Sequence, residues 1–584
     1  MLRPMLGGLA KRELDKASAS ASDYLAGHIN ALVTALEAEA ELPAIGRKIV
    51  SFPGDSAAGI ARRQLLFIET IDAQYISSSI NFLREGLETG SKAIEKRLAV
   101  LRKSSVSIVR SRGNVKFLVR ALKKLGIPAN TMPGNVLLVG WGSNSRILNS
   151  SSTEMTGATP LDMTRDKAVA NTFMGQAGLP VAKQRIVSSA AEAVQAAQEI
   201  GYPVAIKPRS RDGGVGVTRY VVDDAAARRA FKRARSEGTS ILVEQHAEGS
   251  EYRILFAKDQ LISAHERIPA RVIGNGTDTV SRLAEDENAR KEKDEKFGFR
   301  SFPVIINEDA RQCLAEQGLT LSSVPAKGAH VRLATVPKVR TGGEVRLLER
   351  ADIHPSVLDA ASRAVRLFRL DVAGVDYITS DCSRPAGEAG GVITEVNALP
   401  QINPYEEFDV HEAFLSVLLE GVGPVPSLLI TDNGRETVEM LRELDVQSGS
   451  AGSLTGVICD DPRMAQNLSA TNMVCAPFAD RAGVLGDTSV CRIIIVQGPD
   501  SILQRGLFLP HVDGVLLSGH NTKSDIAALR SPLVRQNFAN NVIVSAQSGQ
   551  TLALEEIFGA GSVREYTNDD QRLKAAREIL AIEH

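Results

Sequence analysis

GVDYITSDCSRPAGEAGGVITEVNALP, residues Gly374 to Pro400, decides how this chain is read. Two apolar runs, GVDYI and GVITEVNA, flank a polar stretch rich in Gly and Pro, which predicts a β-hairpin with an irregular connection. Asp376 lies on the first run. Glu395 and Asn397 lie on the second, two residues apart, so both side chains leave the same face of the strand. Carboxylates on an otherwise apolar strand are costly to bury unpaired. A hard cation held by carboxylate and amide oxygens, its shell completed by phosphate, would offset that cost. A solvated acidic sheet face is the plain alternative for these three residues taken alone.

Working outward, the segment YPVAIKPRSRDGGVGV places Lys207 after Val204, Ala205 and Ile206, on a strand of buried character where a lysine needs a partner. Gly213, Gly214 and Gly216 follow; glycines let backbone N–H groups approach an anion closely. A strand lysine beside a glycine loop is a phosphate-binding arrangement. It is not a P-loop, because no Gly-Lys-Ser/Thr opens a helix, and a Gly-rich hairpin turn is the plain alternative. Further upstream, in MTRDKAVANTFMGQAGLPV, Asp166 is suited to cap a helix. Lys167 then falls in the first turn, where the helix dipole disfavours a cation, so an anionic partner is expected. Downstream, Glu244 on the strand SILVEQHAEG suits an adenine edge. Glu251 and Arg253 follow in GSEYRILF, and Arg267 in HERIPARVIGNG. The order Lys, glycine loop, Glu, Glu, Arg, Asp, Glu, Asn is far more specific than any one member.

The 584 residues suggest three or four domains or lobes. Apolar residues make up 43% and charged residues 23%, as in ordinary globular proteins. A net charge of −1 gives no pointer to nucleic acid or to a membrane surface. The five cysteines are scattered without a C-x-x-C pair, which reads as reduced thiols in a cytoplasmic protein. No apolar run approaches the roughly 20 residues of a membrane helix, and the N-terminus lacks a signal-peptide core. Residues 1–104 read as helical, with Leu25, Ile29, Leu32 and Leu36, then Ile76, Ile80, Leu83 and Leu87, at helical spacing. The stretch Gly46 to Gly59 breaks the two. This region reads as a packing or oligomerisation element.

The run from Val136 to about Leu419 resembles the ATP-grasp domain of cyanophycin synthetase and, more distantly, glutathione synthetases and D-alanine–D-alanine ligases. The matching stretches are MTRDKAVANTFMGQAGLPV, YPVAIKP, GSEYRILF, ERIPARVIGNGTDTV, LAEQGLTLSSVPAKGAHVRL, LDVAGVDYITSD and GGVITEVNALP. The resemblance implies that Lys167 and Lys207 contact ATP phosphates and that the loop around Gly213, Gly214 and Gly216 closes over them. It implies Glu244 at the adenine and Glu251 at the ribose. It gives Arg267 the transferring phosphoryl group and the tetrahedral intermediate, and gives Asp376, Glu395 and Asn397 two Mg²⁺ ions. The reaction implied is attack of a carboxylate on the γ-phosphate, then of an amine on the acyl phosphate.

From Pro426 the chain resembles the start of a Mur-ligase domain, with departures. Where the family reads Gly-Thr-Asn-Gly-Lys-Thr, this chain has Thr431, Asp432, Asn433, Gly434, Arg435 and Glu436. Val496 falls at a family glutamate. The resemblance thus implies a degenerate, shortened Mur-like domain without ATP chemistry, and a single working site, as in the family's one-site relative that joins β-aspartyl-arginine dipeptides. On the substrate side SSSTEMTGATPLD, with Gly157 at a family serine, and KDEKFGFRSF depart from the pattern, so acceptor identity carries over less well than ATP chemistry.

The expected architecture is multidomain α/β: a helical region (1–104), an ATP-grasp core (105–424) and a small Rossmann-like, Mur-like domain (425–584). The expected activity is ATP-dependent ligation of amino acids or dipeptides, extending to a growing peptide chain, in a homodimer or homotetramer without nucleic acid or membrane. A non-catalytic ATP-binding scaffold for an active synthetase is the alternative.

Overall fold

The computed structural model describes residues 47–52, 63–68, 114–132, 134, 136–209, 216–293, 301–402, 410–431, 435–447, 454–468, 471–505, 507, 509, 512–517, 542–545, 551–558 and 561–581. The chain divides into two compact units, one of Met1–Ser150 with Leu419–His584, the other of Ser151–Leu418. No described helix is long and apolar enough to cross a membrane.

The Ser151–Leu418 unit is built on two antiparallel sheets. The first has the order Gln184–Val187, Ile241–Gln245, Val204–Pro208, Thr218–Val221. Helices Ala190–Ile200 and Asp224–Arg235 cover one of its faces, burying Val204, Ile206, Ile241 and Val243 among helical alanines. Each helix opens on the side chain its start calls for: Ser189 accepts from the Glu192 N–H and Asp223 from the Ala226 N–H.

The second sheet runs Glu344–Leu348, Gln260–Ile268, Ser250–Ala257, Val372–Thr379, Val392–Asn397. Tyr252, Ile254, Ala264, Val375, Tyr377, Ile393 and Val396 pack beneath it with Val357, Ala361 and Val365 of helix Pro355–Leu367 and Ala170 and Met174 of helix Lys167–Gln176. Side chains alternate across a strand, so the charged partners of this apolar set converge on the opposite face. A smaller body with its own core joins strands Arg271–Ile273 and His330–Arg332 to helices Val280–Glu292 and Glu308–Glu316.

In the other unit, seven strands form an all-parallel sheet in the order Val474–Pro477, Leu454–Cys459, Val490–Val496, Ser427–Ile430, Gly514–Leu516, Val542–Ser545, Val563–Tyr566. Successive residues alternate between two cores: Leu429, Ile493 and Val515 join one, Leu428, Ile494 and Leu516 the other. A sheet apolar on both faces and covered on both is the doubly wound, Rossmann-like form expected for the C-terminal domain. The helix Val115–Lys124 and the strand Val136–Val139, read from NVKFLVRALKKLGI and NVLLVGWG, belong to this unit.

Most of the helical expectation for 1–104, including both leucine and isoleucine stripes, lies outside the described residues, as does the strand expected at SVSIV. What is described there is strand. Arg47–Phe52 and Arg63–Ile68 pair antiparallel, Arg47 opposite Ile68 and Phe52 opposite Arg63. Arg47–Phe52 falls in the stretch read as a break, whereas RQLLFI is a short apolar run without helical period, so over Arg63–Ile68 the helical reading is corrected to a strand.

Candidate active site

The predicted hairpin within Gly374–Pro400 forms, from Val372–Thr379 and Val392–Asn397. Asp376 stands directly opposite Glu395, and Gly374 opposite Asn397; the register slips only after Asp376. The three oxygen-bearing side chains therefore share one face. The Asn397 amide Nδ2 donates to Asp376 Oδ2 and to the Gly374 carbonyl, each at 3.4 Å.

The charged neighbours come from strands Ser250–Ala257 and Gln260–Ile268. Arg253, opposite Asp376 in register, grips that carboxylate with two donors: Nε to Oδ1 at 2.5 Å and Nη2 to Oδ2 at 3.0 Å. Both side chains are under a tenth exposed. Room for the guanidinium exists because residue 374 is glycine: a Cβ there would stand 2.7 Å from Arg253 Nη1. Arg267 donates to Glu251 at 3.0 Å and lies 3.5 Å from Asp376. Burial pushes the Asp376 carboxyl up, but Arg253 and Arg267 outweigh burial and hold it below its ordinary range. Burial, with Arg267 and Arg253 beside it, pushes the His265 imidazole down to about 3, so this histidine is neutral at pH 7.

Lys167 finds the anion that its place in a first turn calls for: its ammonium lies 3.4 Å from Glu395 Oε1. Asp166 caps that helix as expected, accepting from the Ala168 and Val169 N–H groups. It also accepts two bonds from Arg209, which hold its carboxyl below the usual range.

Lys207 and Glu244 form a separate pair in the four-stranded sheet, Nζ to Oε2 at 2.8 Å. Gly216 takes a left-handed φ of +72°, and a Cβ would press on Pro208 at 3.1 Å, so glycine is needed there. Gly213 and Gly214 lie outside the described residues, as do Asp432, Asn433 and Gly434 of the C-terminal loop. Arg435 opens the helix after that loop.

Four participants had no role in the sequence reading: Arg209, Arg219, Arg253 and His265. Arg219 donates to Glu251 Oε2 at 3.0 Å, so each Glu251 oxygen takes one arginine. Two signals were available. Glu251 with Arg253, and His265 with Arg267, are charged or polar residues two apart on apolar strands, the spacing that assigns both to one face.

These donors suit Mg²⁺. Two carboxylates and an amide oxygen on adjacent strands are the hard ligands such a cation takes. Asn397, with its Nδ2 committed to Asp376 and Gly374, leaves Oδ1 to a cation. Among the described residues no cluster of three or more His, Cys, Asp or Glu side chains has metal-holding geometry.

Residues 166–319 match the family "Carbamoyl-phosphate synthase L chain, ATP binding domain". Cyanophycin synthetase of Trichormus variabilis is 31% identical over 351 residues, 58% of this chain and 39% of that protein. The glutathione biosynthesis bifunctional protein of Mannheimia succiniciproducens is 31% identical over 233 residues, 39% of this chain and 30% of the relative. The crystal structure of a bifunctional glutathione synthetase from Pasteurella multocida aligns at 22% identity and a TM-score of 0.41, covering 59% of this chain and 50% of that one. The matches span under half the length of the cyanophycin synthetases concerned. Over 58% of its length, then, this chain is a homologue of the cyanophycin synthetases, and it carries an ATP-grasp domain.

Proposed function

We propose that the chain is an ATP-dependent carboxylate–amine ligase working at one site, the ionic face of the five-stranded sheet. The observation that carries this reading is the convergence there of Asp376, Glu395 and Asn397 with Lys167, Arg253 and Arg267. Oxygen donors beside fixed cations can hold metal-bound phosphates and meet charge that develops on a transferring phosphoryl group.

In this reading Lys167 and Lys207 bind the phosphates, the segment through Gly213, Gly214 and Gly216 covers them, and Glu244 and Glu251 serve the nucleoside. Two Mg²⁺ held by Asp376, Glu395 and Asn397 supply neutralisation of the phosphate oxygens. Arg267 faces the phosphoryl group. A substrate carboxylate oxygen forms a bond to the γ-phosphorus as the bond to ADP breaks. An amine then displaces phosphate from the acyl phosphate, losing a proton and forming an amide. Each step asks this chain to orient, neutralise and exclude water; none asks for a covalent nucleophile. The substrates are amino acids or dipeptides, joined once or repeatedly. The C-terminal sheet, with Arg435 and Glu436 at the start of its first helix, has a packing or chain-binding role.

Phosphate release from ATP, measured across amino acids and dipeptides, tests this. Release stimulated by a substrate pair and abolished by Glu395→Ala supports the ligase, with mass spectrometry of the product giving its length. ATP binding without turnover on any substrate would overturn it in favour of a scaffold.

A further inference from the structure

Strand Thr218–Val221 joins its neighbour through a broken register. Val221 stands opposite Val204 and Thr218 opposite Ile206, so Arg219 and Tyr220 together face the single residue Ala205. This is a β-bulge, and bulges re-aim side chains. Tyr220 absorbs it with a φ of +54°, a conformation that bulky side chains rarely adopt. It lies edge-on to His246, ring centroids 5.3 Å apart. In an unbroken strand Arg219 and Val221 would share a face, and Val221 is buried in the core with Val204 and Ile206. The extra residue breaks that parity and frees Arg219 for the other sheet, where its Nη2 meets Glu251 Oε2 at 3.0 Å.

Glu251 is thereby divided. Its Oε1 accepts from Arg267, its Oε2 from Arg219, and its side chain is only 13% exposed. Two consequences follow for Arg267. A carboxylate tethered on both oxygens is held against rotation, which restrains the Arg267 Nη1 that donates to it. And a carboxylate shared by two arginines cancels less of either charge than one held by a single arginine.

We propose that Arg219 is a positioning residue for Arg267, acting through Glu251 and delivered to it by the bulge at Arg219–Tyr220. Arg219 keeps Arg267 aimed and keeps its positive charge available to an anion on this sheet face. The proposal rests on the ligase reading only in naming that anion as the phosphoryl group.

Three measurements on the full chain test it together. Arg219→Gln is expected to lower kcat about tenfold, the scale of one charge-assisted hydrogen bond, with the KM for ATP changed less than about threefold. The double variant Arg219→Gln/Glu251→Gln is expected to match Glu251→Gln alone, since Arg219 then has nothing to act through. In the substrate-free protein, the Arg267 side-chain Nε–H resonance, assigned by its loss in Arg267→Lys, is expected to shift in Arg219→Gln and to return in Arg219→Lys. Penalties that multiply in the double variant, or an Arg267 resonance that stays in place, would overturn the proposal. A wild-type chain without turnover on any substrate sinks the ligase reading instead, and the resonance then decides the positioning role by itself.

Discussion

Replacing Arg253 by Met removes the cation from a pair that water barely reaches. Asp376 then keeps a charge with an 8% exposed side chain, having lost hydrogen bonds of 2.5 and 3.0 Å. Breaking one side of a buried ion pair costs about 3–5 kcal/mol, because the survivor is left charged and unpaired. Arg267 remains 3.5 Å from Asp376, which places the expected loss near the lower end, about 3 kcal/mol. Asp376→Leu in the same chain removes the stranded charge. The double variant should therefore recover about 2 kcal/mol relative to the sum of the single ones. The assay is urea-dependent hydrogen exchange read at peptides from Ser250–Ala257 and Val372–Thr379, which reports opening of this sheet rather than of the whole chain. A loss below about 1 kcal/mol for Arg253→Met, or simple addition in the double variant, would refute a buried, bidentate pair.

Three further outcomes follow from named contacts. Gly374→Ala puts a Cβ 2.7 Å from Arg253 Nη1 and 3.0 Å from Pro400 Cβ, and the flexible arginine is the partner that gives way. Calorimetry should show ATP binding weakened at saturating Mg²⁺ while melting shifts by only about 1–2 kcal/mol equivalent. Asp166→Ala removes a helix cap and the Arg209 pair at once, a loss of about 1–2 kcal/mol, and Asp166→Asn, which keeps the cap, should restore most of it. His265 binds no proton in the fold until about pH 3 but binds one near 6.5 when unfolded, so between those values the unfolded state holds the extra proton. Stability should thus be fully present above about 6.5 and fall with acidification by up to about 1.4 kcal/mol per pH unit; His265→Gln, measured in EDTA, should flatten that slope.

How much could be read beforehand depended on whether a residue obeys its element's period. Asp376, Glu395 and Asn397 do, and their common face followed from two-residue spacing across a hairpin with its turn chemistry in place. Asp166 announced its helix, and Lys167, ill-placed in a first turn, announced an anion that proves to be Glu395. Arg253 obeys the same period and could have been read; what was lacking was its size requirement, met by Gly374 across the ladder. Arg219 could not be read, because a bulge cancels the alternation on which strand reading depends. Arg63–Ile68 shows the opposite failure: it is a short apolar strand, paired with Arg47–Phe52, inside a region whose helical stripes set the expectation.

Where nucleotide sits on the chain is the most direct test. Photolabelling with 8-azido-ATP and Mg²⁺, followed by peptide mapping, should mark the segments around Val204–Pro208 and Ile241–Gln245, and Glu395→Ala should abolish the Mg²⁺ dependence. Label recovered instead from residues 427–447, at the first strand and helix of the parallel sheet, would contradict the account.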